Sequence, residues 1–326
     1  MKPVLISGIQ PSGRLHLGNY LGALKNFVDL QNSEQYHCFF FIADLHSLTE
    51  NFTPEKKKQQ IMDLLSSYLA AGLSQSTIFV QSQVPAHSEL AWILNTITPF
   101  GELARMTQFK DKSVHQPENT NVGLFTYPTL MAADVILYDA SFVPVGEDQA
   151  QHLELTRTLV RKFNGKFGET FIEPQPLMTK IPRLMSLQDP SKKMSKSQPE
   201  GCLFIDDLPE DIERKIMSAV TDSGKEIKYD PASKAGISNL LEIYSGLGGQ
   251  EIAVIEKEFV GKNYARFKKS LAKVITKHFA KFRKKKEGLL ANPEKLRRVA
   301  IKGNKIANNI AKEKIMKVKE RLGLLL

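Results

Sequence analysis

The chain is poor in sulfur and has no long apolar run. Its 326 residues include only two cysteines, Cys38 and Cys202, far apart along the sequence. Two such thiols make neither a disulfide framework nor a metal-type pair, so a reducing, cytoplasmic setting is expected. No stretch reaches the roughly 18 apolar residues that a membrane span requires, so no membrane partner is expected. The N-terminus has no signal-peptide anatomy and no Arg/Ser-rich transit segment. It enters the apolar run Val4–Ile9 almost at once. With 16 prolines and 20 glycines, neither residue is abundant enough for a low-complexity chain, and no internal repeat is present. What remains is a globular composition, 42% hydrophobic and 25% charged, long enough for about two domains.

Charge is distributed unevenly. From position 251 onward there are 22 Lys and Arg against seven Asp and Glu, whereas the first 250 residues carry 23 against 28. A mildly acidic body with a basic end fits a nucleic-acid partner on one side; a solvated helix face would look the same on charge alone.

The first half alternates short apolar runs with helical patterns. Residues 4–9, 38–43, 77–80 and 142–145 read as strands. Between them, 15–30 has a helical look. Thr53-Pro54 opens a helix as N-cap and first residue, with Ile61, Leu64, Leu65, Tyr68 and Leu69 on its inner face. This alternation predicts an α/β fold with a parallel sheet covered on both sides, and ligands at the carboxyl ends of its strands. After the break at Asp189-Pro190-Ser191 helices dominate. Residues 208–220 form one and 264–282 another, with a loop expected at 288–293 and a last helix over about 294–322. On the 264–282 helix, Lys269, Lys273, Lys277 and Lys281 stand four residues apart and form one stripe.

Two segments carry chemistry. Residues 10–19, Gln-Pro-Ser-Gly-Arg-Leu-His-Leu-Gly-Asn, follow a strand with a tight turn and a helix start, an anion-binding geometry. His16 and Asn19 are donors, and Gly18 lets a flat ring approach the backbone. Read alone, this stretch fits a histidine serving only structure better than one serving a ligand. Residues 193–197, Lys-Met-Ser-Lys-Ser, place two lysines three apart on a loop between prolines, able to fold over phosphates or simply to be an exposed basic loop.

Taken together, the two segments resemble the paired signatures of class I aminoacyl-tRNA synthetases. Asn19 departs from the general first signature, which has a second His there, and that departure is typical of the tryptophanyl branch. The resemblance extends through Ser7–Gly13, Gln81–Pro85, Gly101–Lys110, Tyr127–Asp134, Gly146–Gln149 and Ser218–Asp222, covering nearly the whole chain, and is to the bacterial type.

The resemblance implies a Rossmann-like catalytic domain over 1–187 with an inserted helical dimerisation segment. It also implies an all-helical C-terminal domain over 188–326 that binds the tRNA anticodon, with the last helix packing back on the catalytic domain. The implied reaction is activation of L-tryptophan by ATP with Mg²⁺, then transfer to tRNA(Trp), in a homodimer. His16, Asn19, Lys193 and Lys196 would be catalytic. ATP would be held by Gln10, Pro11, Ser12, Gly18, Asn19, Gly146, Glu147, Asp148, Leu184, Lys193, Met194, Ser195, Lys196 and Ser197. Mg²⁺ would ride mainly on the phosphates, without a dedicated carboxylate cage. Asp134 would accept the indole N–H inside a pocket walled by Tyr127, Met131, His46 and Ile6, with Gln149 on the amino-acid side. The lysine stripe and the basic run 283–286 are candidates for tRNA phosphates. The nearest rival is a tyrosyl-tRNA synthetase of the short archaeal type. A non-enzymatic RNA-binding relative is a further alternative, but the ATP signatures are intact.

Overall fold

A computed structural model describes residues 2–115, 120–178, 184–196 and 198–325. Five strands form the sheet: β1 (Val4–Ile9), β2 (His37–Ile42), β3 (Thr77–Val80), β4 (Phe142–Val145) and β5 (Gln175–Met178). They lie in the order β3-β2-β1-β4-β5, with every pairing parallel. β2, β3 and β4 are largely apolar on both faces because both are covered, whereas β5 is mostly exposed. Leu5, Phe40, Ile42, Ile78 and Val80 pack into one cluster with the helices Pro54–Ala71 and Tyr264–Leu290. Ile6, Phe39, Phe41, Phe79, Val143 and Val145 pack into the other, with Val122–Ile136, Ala150–Phe167 and Pro293–Arg321.

The chain builds β1, β2 and β3 outward on one side of β1 and then places β4 on the other. The order reverses between β1 and β4, and at such a point a crevice opens beyond the strand ends. Four of the anticipated strands are present. The fifth, β5, was not anticipated, because Pro174 flanks it and Pro176 lies within it. A proline lacks the N–H of a ladder bond, and β5 tolerates one as the outer strand of the sheet.

Two further boundaries differ from expectation. The lysine-bearing helix runs on through Gly288 to Leu290, so the expected 288–293 loop shrinks to a break at Ala291 and Asn292. One glycine costs a helix only about 1 kcal/mol, too little to end 27 residues. The real signal is Asn292-Pro293: the Asn292 side chain accepts the Lys295 N–H and Pro293 takes the first helical position. The helical segment 17–32 contains a widened π turn at Tyr20–Leu24.

The last helix returns to the sheet. Gly303 lies against β3 so closely that a Cβ there would sit 1.7 Å from the Ile78 carbonyl oxygen. Asn304 accepts the Val80 N–H at 2.9 Å, and Asn308 donates to the Gln83 carbonyl at 2.7 Å. The outer edge of β3 is thereby covered. On the other sheet face a continuous apolar cluster runs from Leu5 to Leu296, so the helices after position 187 share a core with the sheet.

Candidate active site

Four of the strand ends lead to polar groups at the crevice. β1 ends at Ile9 and hands over Gln10, β2 leads to Asp44 and His46, β3 to Gln81, and β4 to Asp148 and Gln149. A cavity of about 420 Å³ opens among them. Of the residues singled out in the sequence, Ile6, Gln10, Asn19, His46, Tyr127, Met131, Asp134, Asp148 and Gln149 line it.

The turn after β1 is held in place from the far half of the chain. Leu17 donates its N–H to the Leu203 carbonyl at 2.8 Å, and Ile205 donates to that of Leu15 at 3.1 Å. Arg14 bonds Asp206 and Asp207 at 2.8 and 2.9 Å. Lys215 then pairs with Asp207, and Lys286 with Asp206 and Asp63. Lys286 is only 3% exposed. It is therefore an internal cation and not a tRNA contact, which corrects the expectation for one member of the 283–286 run. Lys284 and Lys285 are exposed, as are Lys269, Lys273, Lys277 and Lys281.

His16 is buried and forms a reciprocal cap with Asn19. Its Nδ1 accepts the Asn19 N–H, and Asn19 Oδ1 accepts the His16 N–H, both at 3.2 Å. An accepting Nδ1 puts the ring proton of a neutral imidazole on Nε2. The ring is neutral because burial, and then the charges of Lys196 and Lys193, hold its pKa down at about 4. Gly18 has a role beyond letting a ligand approach. A Cβ there would stand 2.9 Å from His16 Cε1, so the glycine makes room for the histidine itself.

Lys196 docks onto this turn, its ammonium donating to Ser12 Oγ at 3.0 Å and to the Gly13 carbonyl at 3.3 Å. Burial lowers its pKa. Lys193 and Ser195 are exposed; Met194 is buried and donates its N–H to the Leu184 carbonyl. Leu184 is itself 2% exposed and packs in the core, away from the walls of this cavity. Pro11 and Gly146 are buried at strand ends, Glu147 is exposed, and Ser197 lies outside the described residues.

At the inner end stands Asp134, 1% exposed on the helix Val122–Ile136. Its Oδ1 accepts from His87 Nδ1 at 2.5 Å and from Gln81 Nε2 at 2.7 Å. Its Oδ2 accepts from His46 Nε2 at 2.7 Å and from Gln81 Nε2 at 2.9 Å. Burial alone would raise the pKa of this carboxyl; the two imidazoles outweigh it and hold the group below the ordinary value, ionised. A second network borders the mouth. The Tyr127 hydroxyl meets His152 Nε2 at 2.7 Å and Gln108 Oε1 at 3.1 Å, and His152 Nδ1 meets Gln149 Oε1 at 3.1 Å.

Gln81, His87, Gln108 and His152 were not anticipated as site residues. Gln81 directly follows β3, so the strand-end rule could have found it. His87 and His152 lie inside helices with no local signal.

Residues 1–280 match the family described as tRNA synthetases class I (W and Y). The protein named Tryptophan--tRNA ligase from Caldanaerobacter subterraneus is 49% identical over 327 residues, spanning 99% of this chain and 98% of that one. The crystal structure of tryptophanyl-tRNA synthetase from Mycoplasma pneumoniae is similar at a TM-score of 0.88 and 36% identity, covering 100% of this chain and 99% of that one. That of the Campylobacter jejuni enzyme, complexed with ADP and tryptophan, is similar at 0.85 and 34%, covering 98% and 99%.

Proposed function

The chain belongs to the class I tRNA synthetases of the tryptophan and tyrosine family, and from that membership we propose that it activates L-tryptophan with ATP and transfers the tryptophanyl group to tRNA(Trp). One observation carries the reading within the fold. A single cavity runs from the β1 turn, at Gln10 and Asn19, past Asp148 and Gln149 to the buried carboxylate of Asp134. A nucleotide at the first end and an indole at the second would meet between them. The tyrosyl alternative has the weaker support, since the whole-chain relative is a tryptophan ligase by name.

In the proposed reaction the tryptophan carboxylate attacks the α-phosphorus and pyrophosphate leaves. The nucleophile is already an anion, so no general base is required. Rate then comes from alignment and from donors placed where negative charge grows. Neutral His16 offers Nε2–H, and Lys196, already seated at the β1 turn, and Lys193 offer cations. Among the described residues no three His, Cys, Asp or Glu converge as metal ligands. Mg²⁺ would come with the ATP phosphates and offset pyrophosphate charge.

An ionised, buried Asp134 favours a ligand with a donor and penalises phenylalanine. Tyr127 would wall the indole pocket, and Gln149 would face the amino-acid side. The exposed lysine stripe would meet tRNA phosphates, with 1–187 as the catalytic domain and 188–326 as the tRNA-binding one. A homodimer is supported by Trp92, Phe100, Val114 and Val122, each more than 70% exposed on successive helices. Cys38 and Cys202 are both buried and free, as a reducing, cytoplasmic setting would keep them.

The test is amino-acid-dependent exchange of pyrophosphate into ATP with tryptophan, tyrosine and phenylalanine. Tryptophan should support it. Exchange with tyrosine and none with tryptophan overturns the reading.

A further inference from the structure

His16 and Asn19 are bracketed by two contacts from one helix, Tyr264–Leu290, in the far part of the chain. On the N-terminal side, Lys286 lies 2.7 Å from Asp206 Oδ2 and 2.7 Å from Asp63 Oδ1. Asp206 in turn accepts from Arg14 Nε at 2.8 Å, and Arg14 stands in the β1 turn. On the C-terminal side, His278 Nε2 meets the Tyr20 hydroxyl at 2.9 Å. Phe279 adds an edge-on contact to the Tyr20 ring, with centroids 4.8 Å apart. Tyr20 directly follows Asn19 and opens the π turn Tyr20–Leu24. Such turns are rare and are frequent at functional sites. Positions 278 and 286 are roughly 12 Å apart along a helix axis, so the two anchors are separate.

Stability alone is a poor account of the first anchor. Lys286 is 3% exposed, and Asp63 Oδ2 finds no hydrogen-bond partner among the described residues. A buried ion pair satisfied this incompletely adds little over apolar side chains of similar volume. What it does fix is the place of Asp206, and through Asp206 the guanidinium of Arg14. Neither Lys286 nor His278 lines the cavity. We infer that both are positioning residues for adenylate formation: Lys286 acting through Asp206 on Arg14, and His278 acting on Tyr20, seat the turn so that His16 Nε2–H and the docked Lys196 meet the reacting phosphates. This rests on the ATP-dependent reading above. A displacement of about 1 Å in aligned groups can cost up to 10²-fold in rate, whereas the Asp134 end of the cavity is built from other elements and keeps its hold on tryptophan.

The experiment measures the single-turnover rate constant of adenylate formation, which does not depend on the fraction of molecules folded, together with KM for tryptophan by pyrophosphate exchange. The full-length variants are Lys286→Met, Asp206→Asn, their double mutant, His278→Phe and His278→Gln. The rate constant should fall about tenfold or more in Lys286→Met, Asp206→Asn and His278→Phe, with KM for tryptophan within about twofold of wild type. His278→Gln, whose amide can still meet the Tyr20 hydroxyl, should stay near wild type. Since Lys286 and Asp206 act in series, the double mutant should be no slower than the slower single mutant. If Lys286→Met does not fold, His278→Phe, which removes no buried cation, decides. Unchanged rate constants in the folded variants, a rise in KM for tryptophan in step with the loss of rate, or additive losses in the double mutant overturn the inference. Failure of the underlying reading looks different: wild type would then show no tryptophan-dependent exchange at all.

Discussion

Lys196 and Ser12 are 184 positions apart in the sequence and 3.0 Å apart in the fold. That contact brings the Lys-Met-Ser-Lys segment onto the β1 turn, so two stretches that were ambiguous singly lie side by side. In the proposed reaction that ammonium would meet a phosphate chain seated on the same turn. Lys196→Ala should slow adenylate formation about 10²- to 10³-fold, while the dissociation constant for tryptophan stays close to wild type. Rapid-quench kinetics with equilibrium binding would decide; equal losses in both would remove Lys196 from the transition state.

Gln81→Leu tests how Asp134 is held. The substitution strips both amide contacts from the carboxylate and leaves the Leu45 N–H without its acceptor. KM for tryptophan should rise about tenfold, and urea unfolding should show a loss of about 1–3 kcal/mol. If stability falls while KM does not change, Gln81 serves the fold and not the pocket.

For His16 the direction of the pH effect follows from its lowered pKa. The folded protein holds the imidazole at about 4, against 6.5 for an ordinary histidine. The unfolded chain therefore binds the extra proton first as pH drops. The stability that neutral His16 contributes is whole above about pH 6.5 and is lost as pH falls toward 4. His16→Asn retains a capping acceptor, so its melting temperature should fall less steeply over that interval. Parallel melting curves would mean that the ring titrates alike in both states.

Gly303→Ala puts a methyl group where the Ile78 carbonyl stands. The last helix must then move off β3, at a cost of at least about 2 kcal/mol by analogy with overpacked cores. Chemical denaturation measures it directly, and a negligible change would show that the helix is not seated on the strand.

Neutralising Lys269, Lys273 and Lys277 to Gln should weaken tRNA binding and flatten its salt dependence by roughly two to three units of log–log slope. Adenylate formation should not change, since the stripe is exposed and outside the cavity. Unaltered tRNA binding would make the stripe a solvated face.

The sequence made some of this legible and hid the rest for identifiable reasons. Apolar runs bounded by turn residues disclosed β1 to β4, because a strand buried on both faces has no other composition available. The prolines at 174 and 176 concealed β5. On the helix Tyr264–Leu290, Phe267, Leu271, Ile275, Phe279 and Phe282 recur at helical spacing and are buried, with Tyr264 and Val274 partly so. Charge alone misled at Lys286, where a run of lysines turned inward to meet Asp63 and Asp206. At the site, Asp134 was singled out only through the family resemblance. Its donors were not, since Gln81 and His87 are near it only after folding.

The Asn304 amide that caps Val80 arrives 224 positions after the strand it protects. A ribosome adding about 5–20 residues per second needs roughly 10–45 s to cover that distance. Throughout that interval the nascent sheet keeps one flank unpaired, a template for stray strands from other chains. Competence to fold cleanly in the cell is therefore a matter of timing: β3 must be sheltered, by delay or by a chaperone, until the final helix emerges.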